Sequence, residues 1–390
     1  VSTDPSGLDI SAIRAQFPIV EKIVYFNTGT VGVAPLPVAA ATWADMQAFE
    51  LDGEHGWGPG CDRMERGRQA LAALFGCARE EIALTRNATD GVNIVVEGVA
   101  WRDGDEVLLS NEEHPSMLFP WTYLTQRHDV TLNRFDIGMT PGETLDNVRA
   151  ALTSRTRLLA TSHVSSVTGK RTPAKEIAAL CRERGILTLI DGAQAVGQFS
   201  LDLPDIGADF YTGNCHKWLL GPKGTGLLYV RRDSLDELTP TFVGAGTGGF
   251  TDEGGLEPLD TAARFEYGTR DFGRYGGIET TMEWHHGLGM DREFARMRHL
   301  TNYLRDRLWE LDGITIHTPR SWEESSAMTT FSVPGYSAVK LFHELREDHA
   351  VKLRIVGEVD GNRISTAIFN TEQEIDTLIA LLHPYARAAA

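Results

Sequence analysis

Lys217 lies in YTGNCHKWLLGPKGTG (residues 211–226), between a histidine and a tryptophan and ahead of glycine-containing turns, directly after the apolar, acidic run DIGADF. Taken alone, this lysine is open to three roles: surface charge, phosphate clamp or covalent catalyst. Asp191 directly follows the apolar run ILTLI and opens DGAQ. A carboxylate at the end of a buried strand costs free energy unless a cation or hydrogen bonds compensate it. TRNATDG (85–91) ends one apolar run and opens the helical pattern GVNIVVEG. Backbone N–H groups near Ala88 and Thr89, with the Thr89 hydroxyl, can hold an anion at that helix N-terminus, or can serve as a plain cap. A buried aspartate facing a heteroaromatic nitrogen, a lysine able to form an imine and phosphate donors together describe a pyridoxal phosphate site.

The elements that must position these groups are legible as alternating periodicities. From about residue 62 to 230, helical patterns alternate with short apolar runs, as βαβ units do. EIALT, EVLLS, RLLATSHV, ILTLI and GLLYV read as strands, several ending in polar residues. In an open parallel sheet, ligands bind beyond the carboxyl ends of the strands, so those polar ends mark the site. TPAKEIAALCRERG reads as a helix capped by Thr172, with Pro173 in its first turn and Gly185 at its stop. After about residue 230 a glycine-rich region gives way to a smaller α+β pattern. There AMTTFSVPG and NRISTAIFN are strands, and Thr371 and Glu374 have capping-box spacing before a C-terminal helix.

Composition narrows the function classes. With 390 residues, 42% hydrophobic and 23% charged, the chain is an ordinary globular protein large enough for more than one core. A net charge of -17 argues against a broad electrostatic grip on nucleic acid or anionic lipid. No apolar run reaches the roughly 20 residues that span a bilayer, and VSTDPSGLDI lacks signal-peptide regions, so a cytoplasmic location is expected. The four cysteines, Cys61, Cys77, Cys181 and Cys215, have no C-x-x-C spacing, which indicates neither a disulfide framework nor a metal site.

YFNTGTVG, RNATDG, NEEHPSM, SHVSSVTG, DGAQAVGQ, YTGNCHKW and YGTRDF occur in an order that resembles the class V aminotransferase family of fold-type I pyridoxal phosphate enzymes. That family includes cysteine desulfurases, selenocysteine lyases and isopenicillin N epimerases. The resemblance implies an α/β fold: a mainly parallel large domain at 25–265, a smaller α+β domain at 266–390, and an N-terminal segment at 1–24 packing on the latter. It implies that Lys217 carries the cofactor covalently and later moves the Cα proton. Asp191 would pair with the pyridinium nitrogen, Gln194 with the ring hydroxyl, and His114 would stack on the ring. Ala88, Thr89, Asn214 and His216 fall at phosphate positions. Thr269 would reach the cofactor of a neighbouring subunit, which makes a homodimer with shared sites the expected assembly. Arg354 resembles the arginine that binds the substrate carboxylate, with Arg363 as the second candidate. Tyr25 is a further candidate at the substrate.

Two departures bear on the reaction. RIVGEVDGNRI has no cysteine, and none follows Cys215 anywhere, so the persulfide relay of a desulfurase is not expected. Ser166 and Asn214 replace an asparagine and a serine of the desulfurase pattern and resemble the isopenicillin N epimerase branch. The expectation is β-elimination from a cysteine-type conjugate in specialised metabolism, with epimerisation and transamination as alternatives. Readings from another class rest on GAGTGG (244–249), which matches G-x-G-x-x-G, and on GPKGTG, a degenerate P-loop. Neither runs into a helix as a nucleotide site requires.

Overall fold

A computed structural model describes residues 6–389 of the chain. Its main sheet has seven strands in the order Ile82–Thr85, Gly226–Val230, Phe210–Asn214, Leu187–Asp191, Thr156–Ser162, Glu106–Ser110 and Thr131–Phe135. The last five pair in parallel, and Gly226–Val230 runs antiparallel to both of its neighbours. GPKGTG therefore lies on the return between two antiparallel strands, and residues 248–250 of the other glycine-rich motif form a short strand paired with Leu256–Pro258.

Most of these strands are buried throughout because helices cover both faces, as in parallel sheets generally. Leu189 and Ile190 are fully buried. Each such side chain contributes roughly 1.5–3 kcal/mol, enough to offset part of the cost of the carboxylate that follows them. In-register pairing sets Ser162 opposite Asp191 and Asp191 opposite Thr212, so the polar ends of three strands meet along one edge.

The smaller antiparallel sheet runs Thr315–Ile316, Met328–Ser332, Gly361–Ser365 and Arg354–Val356, with Arg354 directly opposite Arg363. Its core joins Leu300, Leu304 and Leu308 to Phe331, Ile364, Ile375 and Leu378. Near the N-terminus, Phe17 packs on Phe369 with ring centroids 4.8 Å apart, and Val24–Tyr25 pairs in parallel with Val351–Lys352. Residues 1–5 of the segment expected at 1–24 lie outside the described residues. The Phe272–Leu288 helix packs on the helices Leu36–Asp52 and Trp57–Leu74.

The Thr371/Glu374 capping box forms, with Glu374 N donating to Thr371 Oγ1 at 3.2 Å and Thr371 N donating to Glu374 Oε2 at 3.1 Å. Thr172 does not cap its helix. Its buried hydroxyl donates instead to the Ser162 carbonyl at 2.8 Å, and the helix spans Ala174–Arg182 with Pro173 at the cap position. No described helix is long and apolar enough to cross a membrane.

Candidate active site

The polar strand ends close around a narrow cleft. Ala88, Thr89, His114, Ser162, Ser166, Asp191, Gln194, Asn214 and Lys217 line it, so elements far apart in sequence deliver their chemistry to one place. A larger groove of about 710 Å³ holds Thr269 with Tyr267, Arg270 and Tyr275, and does not include Lys217.

Lys217 follows the Phe210–Asn214 strand on a turn that the surrounding chain fixes closely. Gly32 donates its N–H to the His216 carbonyl at 3.0 Å, and a Cβ at Gly32 would collide with the Lys217 carbonyl oxygen. YFNTGTVG is thus glycine-rich because it must lie against the lysine backbone. Leu220 adopts φ 54° just beyond, and His285 Nε2 bonds the preceding Leu219 carbonyl at 2.8 Å while Nδ1 faces Glu293. Burial lowers the Lys217 pKa to about 8 against the opposing pull of Asp191, with the Arg363 and Arg354 charges adding to the depression.

Asp191 is buried, and Ala193 N donates to its Oδ1 at 2.8 Å. Desolvation raises its pKa, opposed by that hydrogen bond and by Lys217. His114 caps the helix Pro115–Arg127: its Nδ1 accepts from Ser116 N at 3.1 Å and sits 2.9 Å from Ser116 Oγ. Desolvation, then the charges of Lys217, Arg354 and Arg363, lower the His114 pKa to about 4, which leaves a neutral imidazole on the cleft wall.

At the N-terminus of the helix Ala88–Gly98, Asn214 Oδ1 accepts the Ala88 N–H at 2.9 Å, and Asn87 Oδ1 accepts that of Asp90 at 2.9 Å. Asn214 Oδ1 therefore organises the helix end, and Asn214 and Thr89 both line the cleft. The Gln194 amide bridges, donating to the Gly29 carbonyl at 2.7 Å and accepting from Trp218 Nε1 at 2.9 Å. His216 places Nδ1 2.9 Å from the Thr225 carbonyl and is not among the residues lining the cleft. Tyr25 is also outside that lining, its hydroxyl donating to the Val31 carbonyl at 2.8 Å.

The two arginines differ. Arg363 is only 1% exposed, donates from one terminal nitrogen to the Ser166 carbonyl at 2.5 Å, and leaves its buried Nε without a partner. Desolvation depresses its pKa to about 9, and Arg354 adds to this. The Glu358 charge opposes the depression, no ion pair is formed by Arg363 among the described residues, and neither arginine is among the residues lining the cleft. Arg354 is partly exposed on the neighbouring strand.

The sequence profile described as aminotransferase class-V matches residues 60–378. The chain belongs to the class V aminotransferase family. It is thus a pyridoxal phosphate-dependent enzyme. It is similar to an isopenicillin N epimerase of Streptomyces clavuligerus, 35% identical over 95% of this chain and 96% of that one. It is also similar to a probable cysteine desulfurase 2 of Mycobacterium leprae, 30% identical over 96% of each chain. Among solved structures it matches the cystine C-S lyase C-DES bound to its product cysteine persulfide, with TM-score 0.88, 28% identity, and coverage of 94% of this chain and 99% of that one. A lysine-to-alanine mutant of C-DES, with glycine covalently linked to its pyridoxal phosphate, matches at TM-score 0.87 and 28% identity over 95% and 98% of the chains.

The donor set fits this cofactor. A lysine with a depressed pKa suits imine chemistry, Asp191 has an oxygen to spare for a ring nitrogen, and the Thr89 helix end suits phosphate. Among the described residues no cluster of His, Cys, Asp and Glu is arranged to hold a metal. Sequence reasoning missed Ser162 and Glu113, because a serine or glutamate near a strand end carries no distinguishing pattern until parallel register sets Ser162 beside Asp191, and it missed Ser116, which joins the site through its bond to His114.

Proposed function

We propose that this enzyme is a carbon–sulfur lyase that expels a thiol from Cβ of a cysteine conjugate, or a persulfide from Cβ of cystine. The observation that carries the reading is Lys217: it faces the cleft with Asp191, and burial holds its pKa at about 8, which leaves it able to exchange a proton near neutrality. When bound, pyridoxal phosphate supplies the electron sink that makes the substrate Cα proton labile.

The chain's own groups do the rest. Lys217 holds the cofactor and, once freed, takes the Cα proton. Asp191 would hold the ring nitrogen protonated, and the neutral imidazole of His114 would hold the ring from the cleft wall. Thr89 and the helix end at Ala88 hold the phosphate, with Asn214 fixing that end. Gln194, held by Gly29 and Trp218, would bind the ring hydroxyl, and His216 supports the loop from Thr225. Arg363 seats the substrate carboxylate by its buried position, which moves Arg354, first in the sequence reading, to the rim. Loss of the Cα proton and departure of the Cβ–S bonding pair on sulfur, followed by addition of water, convert the conjugate into thiol, pyruvate and ammonium.

Cysteine placement favours elimination over a desulfurase relay. Cys77, Cys181 and Cys215 have thiol pKa values pushed up to about 12, chiefly by burial, and Cys61 is also raised, so none is poised as a persulfide acceptor. The likeness to a cystine C-S lyase supports the same choice. Thr269 is exposed in the second groove beside the exposed Phe242 and Tyr267, which supports a homodimer in which Thr269 serves the site of another copy. The test is incubation with cystine and a panel of S-alkyl cysteines, assaying pyruvate together with thiol from the S-alkyl cysteines and persulfide from cystine. Equimolar release of pyruvate and the sulfur product is expected. Exchange of the Cα proton with inversion and no thiol would replace this reading with the epimerase suggested by the 35% identical relative.

A further inference from the structure

Glu113 precedes His114 and points away from the cleft into the sheet, where it is buried. Its Oε1 accepts from Ser110 Oγ at 2.5 Å and from Ser162 N at 2.8 Å, while its Oε2 meets Ser162 Oγ at 2.7 Å. The three donors are neutral, and no cation pairs with the carboxyl among the described residues. Ser162 is the hinge of the arrangement: one side of its hydroxyl faces Glu113, and the residue also lines the cleft, paired in register with Asp191.

The geometry leaves two hydrogen-bond states. With Glu113 ionised, Ser162 donates its hydroxyl proton to Oε2 and offers only lone pairs to the cleft. With Glu113 neutral, Oε1 is already occupied by two donors, so the proton resides on Oε2 and is donated to Ser162 Oγ. The Ser162 hydroxyl hydrogen then turns outward. We propose that Glu113 and Ser162 form a buried proton switch that sets whether the cleft floor beside Asp191 presents a hydrogen-bond donor or an acceptor to the bound cofactor.

The surroundings place the switch in a useful range. Desolvation, opposed by the three hydrogen bonds and reinforced by the Asp191 charge, raises the Glu113 pKa to about 7. The other charges near it are engaged or set back. Arg134 on the edge strand donates to the Ser110 carbonyl at 3.5 Å, Lys170 is paired with Glu112 at 3.2 Å, and Lys217 stands across the cleft beside Asp191. His114 next to it is neutral at these pH values.

The inference rests on the cofactor assignment above, and its test separates the two. Gln at 113 can place its carbonyl where Oε1 sits and its amide where Oε2–H would sit, so Glu113→Gln mimics the neutral state at every pH. Infrared difference spectra of the cofactor-free protein between pH 5 and 9 are expected to show a carboxyl titrating near pH 7 that is lost in Glu113→Gln. In the holoenzyme, the visible absorption of the cofactor is expected to carry a transition near the same pH. It should be lost in Glu113→Gln, which stays in the low-pH form, and lost in Ser162→Ala, where the carboxyl remains but the hinge is gone. Identical titrations in wild type and both variants would overturn the switch. Absence of any cofactor band in the wild type would overturn the cofactor assignment, and the switch with it, whatever the infrared result.

Discussion

Replacing Arg363 by lysine keeps a cation in the anion seat but removes the planar fork. In the structure one arm of that fork is already spent on the Ser166 carbonyl at 2.5 Å, and the second reaches Thr30 Oγ1 only at 3.5 Å, which leaves the second arm and the buried Nε for an incoming carboxylate. A hydrogen bond to a charged group is worth about 1.5–3 kcal/mol. Losing one such bond while retaining part of the charge attraction should cost ~2–3 kcal/mol, or roughly 30–160-fold in kcat/KM. Arg354 is partly exposed, so solvent screening limits Arg354→Lys to ~1 kcal/mol, about fivefold. The assay is thiol release from an S-alkyl cysteine, compared with the same conjugate lacking its carboxylate. Arg363→Lys should depress turnover of the first and leave the residual reactivity of the second unchanged. If Arg354→Lys is the more damaging variant, or Arg363→Lys affects both conjugates equally, the assignment of the carboxylate seat is wrong.

Lys217 carries a stability cost that can be measured without catalysis. Its folded pKa is about 8 against 10.5 for an unperturbed lysine, so between those pH values the unfolded chain binds more protons and stability must rise with pH. Below about pH 8 the full penalty applies, on the order of 3 kcal/mol from the size of the depression. Cofactor-free Lys217→Met should therefore withstand more urea than the wild type at pH 7, with the gap closing toward pH 10.5; a less stable variant would contradict the burial argument. The shared-site proposal is checked with hybrids of two inactive chains, Lys217→Ala and Thr269→Arg. Mixed dimers should regain activity because one of their two sites has both Lys217 and Thr269 intact, and no recovery on co-expression would count against sharing.

How much of this was legible in the sequence follows from how each signal is encoded. The strand ends stand out because an apolar run closed by Asp191 or by TRN is a local pattern, and the parallel sheet then brings such ends together without further information. Lys217 is marked by local company as well, since the turn holding it needs Gly32 against its carbonyl and a strand return through GPKGTG. Thr172 misled because its spacing satisfies a cap, yet the nearby Ser162 carbonyl takes its hydroxyl. The arginines are a related case. Arg354 and Arg363 are opposite partners across two antiparallel strands, so spacing cannot say which is buried, and only the fold shows that Arg363 is the one held against the Ser166 carbonyl.

The same contrast explains the adjacent glutamates of NEEHPSM, which look alike in sequence. Glu112 turns to Ser165, Thr168 and the buried Lys170, whereas Glu113 turns into the sheet beneath Ser162. The difference is one step along a chain whose successive side chains face opposite ways as it leaves a strand. Polar groups at the carboxyl edge of a parallel sheet thus fall into two layers. The outer layer meets ligand and is readable from motif, while the inner layer holds the outer one in place. The inner layer becomes visible only once register is known, and it is where Glu113 can tune a cofactor it never touches.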